Sequence, residues 1–343
     1  MAIRKWTVVA SLALCAALAL TVASVGSAQP AQAHQAQAMS GIKVALVTDI
    51  GGLNDKSFNA LAYKGLKNAE KKLHIDGRVF ISKSSADYIP NLSTGARSYD
   101  LVIGVGFLMA DQLAAVAKRF PDTKFAIVDY PAAALKGAPK NARGILFAEQ
   151  EAGCLAGVAA TTVSKTKVIS SVGGQKIPPV DAYIAGYQYC AKKLNKKVKT
   201  LNGYSQDFVA QDKCKEIALN QIGEDSDVVF QVAGGCGLGA LQAAKDNKDW
   251  GIGVDADQGY LGKHILTSAQ KKVDVGVFTT IALAGGNKWK GGVDGLFNAK
   301  NNGVGFGKVS KAAPHRVALI NLLGKWKKML ASGKVKPPRT VKG

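Results

Sequence analysis

Short apolar runs with strand character alternate along this chain with longer segments of helical period. Ile42–Thr48 reads as a buried strand, apolar throughout Val44–Val47, that stops at Asp49 and the glycines Gly51 and Gly52; from Ser57 to Leu73 the apolar positions recur every three or four residues. The same pattern predicts strands over Asp100–Val105, Phe125–Asp129, Gly144–Phe147, Lys167–Val172, Val198–Asn202, Asp227–Ala233 and Gly251–Asp255. It predicts helices over Met109–Arg119, Gln150–Thr162, Ala182–Leu194, Gln211–Ile222 and Leu238–Asn247. Such alternation implies parallel sheets covered on both faces, and so many units require more than one sheet. In open α/β sheets the ligand lies beyond the carboxyl ends of the strands, so polar residues just after strands are where function is expected.

The first residues follow a different pattern. Arg4 and Lys5 precede an apolar run from Trp6 to about Ala23, and small residues follow at Gly26, Ser27 and Ala28 and again at Ala31 and Ala33. A positive start, an apolar middle and small residues at a cleavage site are the parts of a secretory signal peptide. Residues 1–28 are therefore expected to be removed, with cleavage as late as residue 33 the alternative. The run is barely long enough to cross roughly 30 Å of hydrocarbon, which argues against a retained anchor. Cys15 lies inside the run behind Leu14, so lipid attachment there is not expected. The mature chain is expected to be exported, extracytoplasmic and unlipidated.

Export changes the meaning of the cysteines. Cys154, Cys190, Cys214 and Cys236 remain, an even number in an oxidising compartment, and spacing leaves all three pairings open. No CxxC is present and the four histidines are scattered, so no metal site is expected.

Four strand ends carry carboxylates, amides, glycines or an aromatic: DIGGLNDKSFN at 49–59, GVGFLMAD at 104–111, AGGCGLG at 233–239 and VDADQ at 254–258. Any one Asp after a strand reads as a helix cap and any one glycine as a turn. Four such endings in one chain point instead to a ligand held at the rim. Gly235, Gly237 and Ala240 also fit GxGxxA, with Asp255 about 20 residues on, as a dinucleotide site requires. That match stands alone, and an exported protein meets little nicotinamide cofactor. No GxxxxGKS/T, GxSxG or HExxH occurs and no nucleophile and base are paired, so neither an enzyme nor a cofactor is expected.

These endings resemble the basic membrane protein family of ABC-transporter substrate-binding proteins, which includes the PnrA-like purine-nucleoside-binding lipoproteins. The matching stretches are VTDIGGLNDKSFNALAYKGL at 47–66, VIGVGFLMAD at 102–111, EQEAGCLAG at 149–157, DVVFQVAGGCGLGALQAAK at 227–245, WGIGVDADQ at 250–258 and LTSAQKKVDVGVF at 266–278. The resemblance runs from about Lys43 to Phe278 and implies a type I periplasmic-binding-protein fold. In that α/β fold two Rossmann-like lobes with parallel sheets are joined by a hinge of three segments. The first lobe is expected from 41–148 and the second from 149–274, each with part of 275–343.

The resemblance further implies a nucleoside, purine by preference, closed between the lobes and handed to a membrane permease. Asp55, Phe58 and Asn59 fall on the family's first-lobe motif, with Phe58 expected to stack on the base. Asp111 is expected to hold polar ligand atoms, Phe208 to oppose Phe58, and Gly234 and Gly235 to offer backbone groups. Asp255 and Lys271 match the pair expected to grip ribose hydroxyls. The chain departs from many members at Cys236, where they carry threonine, and in lacking an evident lipid-attachment cysteine. Cys214 with Cys236 and Cys154 with Cys190 are the disulfides implied. A sugar or autoinducer receptor on the same fold is the alternative, and an NAD-binding enzyme a more distant one.

A flat purine with a polar edge suits aromatic walls, since base–aromatic stacking contributes roughly 1–3 kcal/mol per base. A ribose diol suits a carboxylate that accepts two charge-assisted bonds.

Composition adds one further expectation. The 343 residues include 45 Lys and Arg against 24 Asp and Glu, a net +21, and loss of Arg4 and Lys5 with the leader leaves +19. From Asn287 to Gly343 thirteen basic residues face Asp294 alone. The excess thus lies away from the expected pocket, where Asp55, Asp111 and Asp255 gather. Nucleic acid is therefore not expected as a partner. An anionic envelope surface, met through the basic C-terminal region, is.

Overall fold

The computed structural model describes residues 41–341; the expected leader lies outside the described residues. Two six-stranded sheets form. The first contains β1 (Lys43–Val47), β2 (Asp76–Phe80), β3 (Leu101–Gly104), β4 (Lys124–Val128), β5 (Ala142–Phe147) and β11 (Asp294–Phe297), in the order β11-β5-β4-β3-β1-β2 and wholly parallel. The second contains β6 (Val168–Gly173), β7 (Lys199–Tyr204), β8 (Val228–Val232), β9 (Trp250–Asp255), β10 (Ile265–Lys271) and β12 (Val304–Phe306), in the order β12-β10-β9-β8-β6-β7. Only β12 in it runs antiparallel. The α/β fold with two sheets of mostly parallel strands is thus as the alternation implies.

Strand β1 shows why Val44–Val47 has no polar positions. Val44 and Leu46 pack into one core beneath α1 (Phe58–Leu73), with Ala62, Leu66 and Ala69. Ala45 and Val47 point the other way, into a core with Leu92 of α2 (Tyr88–Ser98) and Leu113 of α3 (Ala110–Arg119). A strand covered on both faces buries every side chain, so the period of two disappears.

The second sheet is covered likewise. Helices α4 (Glu149–Val163) and α5 (Pro178–Leu194) lie on one face, and α6 (Gln211–Gly223) and α7 (Gly237–Asp246) on the other. Helix α4 meets α5 unusually closely: a Cβ at Gly153 or Gly157 would run into the carbonyl oxygens of Tyr183 and Tyr187. Cys154–Cys190 bonds this same helix pair, and Cys214–Cys236 ties α6 to the residue before α7. Both are the pairings the family resemblance implies.

The chain passes between the sheets three times, at 147–149, at 271–273 and at 297–304, so β11 and β12 complete sheets begun far earlier. Helix α8 (Val273–Gly285), which follows the second passage, returns to pack against α1. At the first and third passages Phe147 stacks on Phe297, ring centres 5.2 Å apart. Helix α9 (Arg316–Ala331) then packs on α4.

The pattern reading did not predict β2, α2, β10, α8, β11, β12 or α9. Strands β2 and β11 are half-exposed edges without an apolar run. Pro90 and Gly95 interrupt α2, and α8 is apolar around most of its circumference, which hides its period.

Candidate ligand-binding site

One cavity lies at the carboxyl ends of strands from both sheets. The first sheet supplies Asp49 and Gly51 after β1, Gly106 and Phe107 after β3, and Asp129 after β4. The second supplies Gly234 and Gly235 after β8, Asp255 ending β9 and Lys271 ending β10, and Tyr183 reaches in from α5. Its volume is about 70 Å³, below the roughly 300–1,000 Å³ of drug-sized sites. The two sides touch across it: the Ser57 hydroxyl donates to the Asp255 carboxylate at 3.0 Å and to the Val254 carbonyl at 3.1 Å.

The α1 entrance is built by carboxylates. Asp55 Oδ1 accepts the backbone N–H groups of Ser57 and Ala60, and Oδ2 accepts that of Asn59 at 2.6 Å. This satisfies orphan donors of the first helical turn; burial still raises the Asp55 pKa against the pull of these N–H groups. Asn59 in turn donates from Nδ2 to Asp49 at 2.7 Å and to Asp55 at 3.2 Å, while its oxygen accepts the Asp49 N–H. Asp55 and Asn59 are thus largely committed to their own chain, and through them Phe58 is fixed on the cavity wall. Burial pushes the Asp49 carboxyl up to about 6, against the pull of Asn59 and Gly51. Gly106 sits at φ +113°, and a Cβ there would approach Asp49 Oδ2 to 3.0 Å.

Lys271 is the hub of the opposite wall. Its ammonium lies 2.7 Å from Asp129 Oδ2, 3.8 Å from Glu149 and 3.9 Å from Asp255. It also stands 4.7 Å from the centre of the Phe58 ring. Burial alone would lower its pKa, but Asp129, Asp255 and Glu149 more than reverse this and hold it charged. Asp255, left-handed at φ +58°, accepts the Tyr183 hydroxyl at 2.9 Å. Burial, reinforced by Asp255, raises the Tyr183 pKa well above its ordinary range and keeps it a neutral donor. Asp129 Oδ1 is buried with no hydrogen-bond partner among the described residues.

Of the sequence-predicted residues, Asp55, Phe58, Asn59, Phe208, Gly234, Gly235, Asp255 and Lys271 line this one cavity. Asp111 does not. It lies exposed in the first turn of α3, where its charge faces the helix N-terminus, and Asp129 occupies the wall from that sheet instead. Asp49, Asp129 and Tyr183 were missed. Asp49 and Asp129 carried the strand-end signal that marked Asp255; Tyr183 carried none, lying within an ordinary helical pattern. The GxGxxA glycines divide: Gly235 lines the cavity, whereas Gly237 makes room for the Gln231 side chain under α7.

Comparison with known proteins places the chain in a family. The profile of the ABC transporter substrate-binding protein PnrA-like family matches residues 42–336. The ABC transporter nucleoside-binding protein BmpA of Lactococcus lactis is 35% identical over 317 residues, covering 84% of this chain and 89% of that one. An uncharacterised lipoprotein of Pyrococcus abyssi is 36% identical over 281 residues, covering 77% and 69%. The solved structure of an ABC transporter system solute-binding protein from Aeropyrum pernix superposes with a TM-score of 0.77 at 26% identity, covering 86% of this chain and 92% of that one. Among the described residues no helix is long and apolar enough to cross a membrane. The family's members bind solutes outside the cytoplasm for ABC transporters and are not enzymes. This chain belongs to the PnrA-like family of ABC-transporter substrate-binding proteins.

Proposed function

We propose that the protein binds a nucleoside, with purines preferred, between its two sheets and delivers it to an ABC permease. The observation that carries this reading is the make-up of the cavity: Phe58 and Phe208 from opposite sides, with four carboxylates against the single ammonium of Lys271. The aromatic rings suit the faces of a base. Asp255, Lys271 and the unpartnered Asp129 Oδ1 suit the hydroxyls of a ribose, which donate to carboxylates and accept from ammonium. The carboxylate excess disfavours a phosphate, so nucleosides are taken and nucleotides refused. The relative named nucleoside-binding supports the same ligand class.

Calorimetry with adenosine, guanosine, uridine, ribose and AMP tests this. Binding of adenosine or guanosine with none of AMP supports it; binding of ribose alone, or of AMP as tightly as adenosine, overturns it. The closed cavity must open to admit such a ligand, so binding draws the protein from an open to a closed form. Export without a lipid, and retention through the basic residues of 287–343 on an anionic envelope, complete the proposal. Salt-dependent release from cells and an unmodified mature N-terminus by mass spectrometry are its checks.

A further inference from the structure

Beyond α9 the chain folds back as an arm. Val335 and Pro337 are buried, and Arg339 reaches the first passage between the sheets. There its guanidinium donates to Glu149 Oε2 at 2.8 Å, to Gln150 Oε1 at 2.7 Å and to the Phe147 carbonyl at 3.2 Å. Glu149 is 2% exposed, whereas Arg339 is 52% exposed. The other oxygen of Glu149 faces Lys271 at 3.8 Å, and the Phe147 ring lies under the same ammonium at 5.5 Å. Arg339 and Lys271 thus hold one buried carboxylate from two sides, one from the surface and one from the cavity.

We propose that Arg339 and Glu149 are positioning residues for Lys271: the C-terminal arm holds Glu149 in place, and Glu149 keeps the ammonium aimed at the ligand. This rests on the nucleoside reading. Three carboxylates, Asp129, Glu149 and Asp255, surround Lys271, and three anchors fix a point charge where two would leave it free to swing between them. Burial raises the Glu149 carboxyl to about 7 even with Lys271 and Arg339 pulling it down. Without the guanidinium the carboxylate loses the donor that orients it and a charge that favours its ionised form, and that anchor is weakened. No ligand atom need touch Arg339.

The test compares the full-length wild type, Arg339→Met, Arg339→Lys, Glu149→Gln and the Arg339→Met/Glu149→Gln double variant. Adenosine affinity is measured by calorimetry. Reductive methylation of Lys271, followed by mass spectrometry without ligand, gives a second readout. Arg339→Met is expected to weaken adenosine roughly tenfold, within the range for coupling between separated groups. Arg339→Lys recovers much of this loss, and the double variant binds no more weakly than Glu149→Gln alone. Lys271 is methylated faster in Arg339→Met and Glu149→Gln than in the wild type. Wild-type affinity and methylation in Arg339→Met, or additive losses in the double variant, overturn the proposal. If the wild type binds no nucleoside, that reading fails and the methylation rates alone decide this one.

Discussion

Ser57, at the start of α1, donates its hydroxyl across the cavity to Asp255, at the end of β9, 3.0 Å away. Asp255 therefore takes part both in the contact between the two sides and in the cavity wall. Its second oxygen accepts from Tyr183, and Lys271 stands 3.9 Å off. Asp255→Ala is expected to weaken nucleoside binding at least about 30-fold, since truncating one partner of a buried charged pair costs roughly 2–5 kcal/mol. Calorimetry checks this, and a thermal midpoint near wild type shows that the fold survives. Unchanged affinity would remove Asp255 from the site.

Phe208→Ala should cost about 1–3 kcal/mol of binding to any nucleoside and much less for free ribose. The comparison isolates stacking, because ribose has no flat face. Equal losses for both ligands would mean that Phe208 only packs the wall.

Asp49 gives a pH test. Its carboxyl is held at about 6 against an ordinary 3.8, with burial as the main cause. Between about pH 4 and 6 the unfolded chain has released this proton while the folded chain retains it, so the group makes stability fall as pH rises. Asp49→Asn lacks this slope and keeps an acceptor for Asn59. The variant should gain on the wild type by at most about 3 kcal/mol from pH 4 to 6.5, at about 1.4 kcal/mol per pKa unit. Urea midpoints at the two pH values report it; a difference that does not change with pH counts against a buried, proton-holding Asp49.

Removing the Cys154–Cys190 bond by a double change to Ala opens a closure between residues 36 apart. The chain-entropy view gives a loss of roughly 3–4 kcal/mol. A lower thermal midpoint with unchanged ligand affinity is expected, because neither cysteine lines the cavity. Peptide mapping without reductant should show this pair and Cys214–Cys236 alone.

Much of this was legible in the chain. Buried strands with covered faces announce themselves as continuous apolar runs, and the motif around Asp55, Phe58 and Asn59 led to the correct end of β1. Edge strands such as β11 were not legible, because half-exposed strands tolerate polar residues and keep no clear period. A polar residue directly after a strand was the useful signal for the cavity wall, picked up at Asp255 and passed over at Asp49 and Asp129. Asp111 misled because it follows β3 by a 3-10 turn and a helical step, enough to rotate it out to solvent. Glu149 and Arg339 left no local sign, since their meeting depends on a contact between residues far apart in the chain.

The three passages between the sheets also set an order on the birth of the molecule. Asp294 pairs opposite Gly144, and Val304 opposite Lys271, so the last strand of each sheet arrives only when the chain is nearly finished. A chain emerging on the far side of a membrane can form most of its first sheet early but must leave the β5 edge unpaired while five of the second sheet's six strands are made. Such late, distant pairing slows folding and exposes an open edge to other chains. The Cys154–Cys190 and Cys214–Cys236 bonds need only residues delivered before that last strand, so they can close within the waiting period and hold the second sheet's helices together.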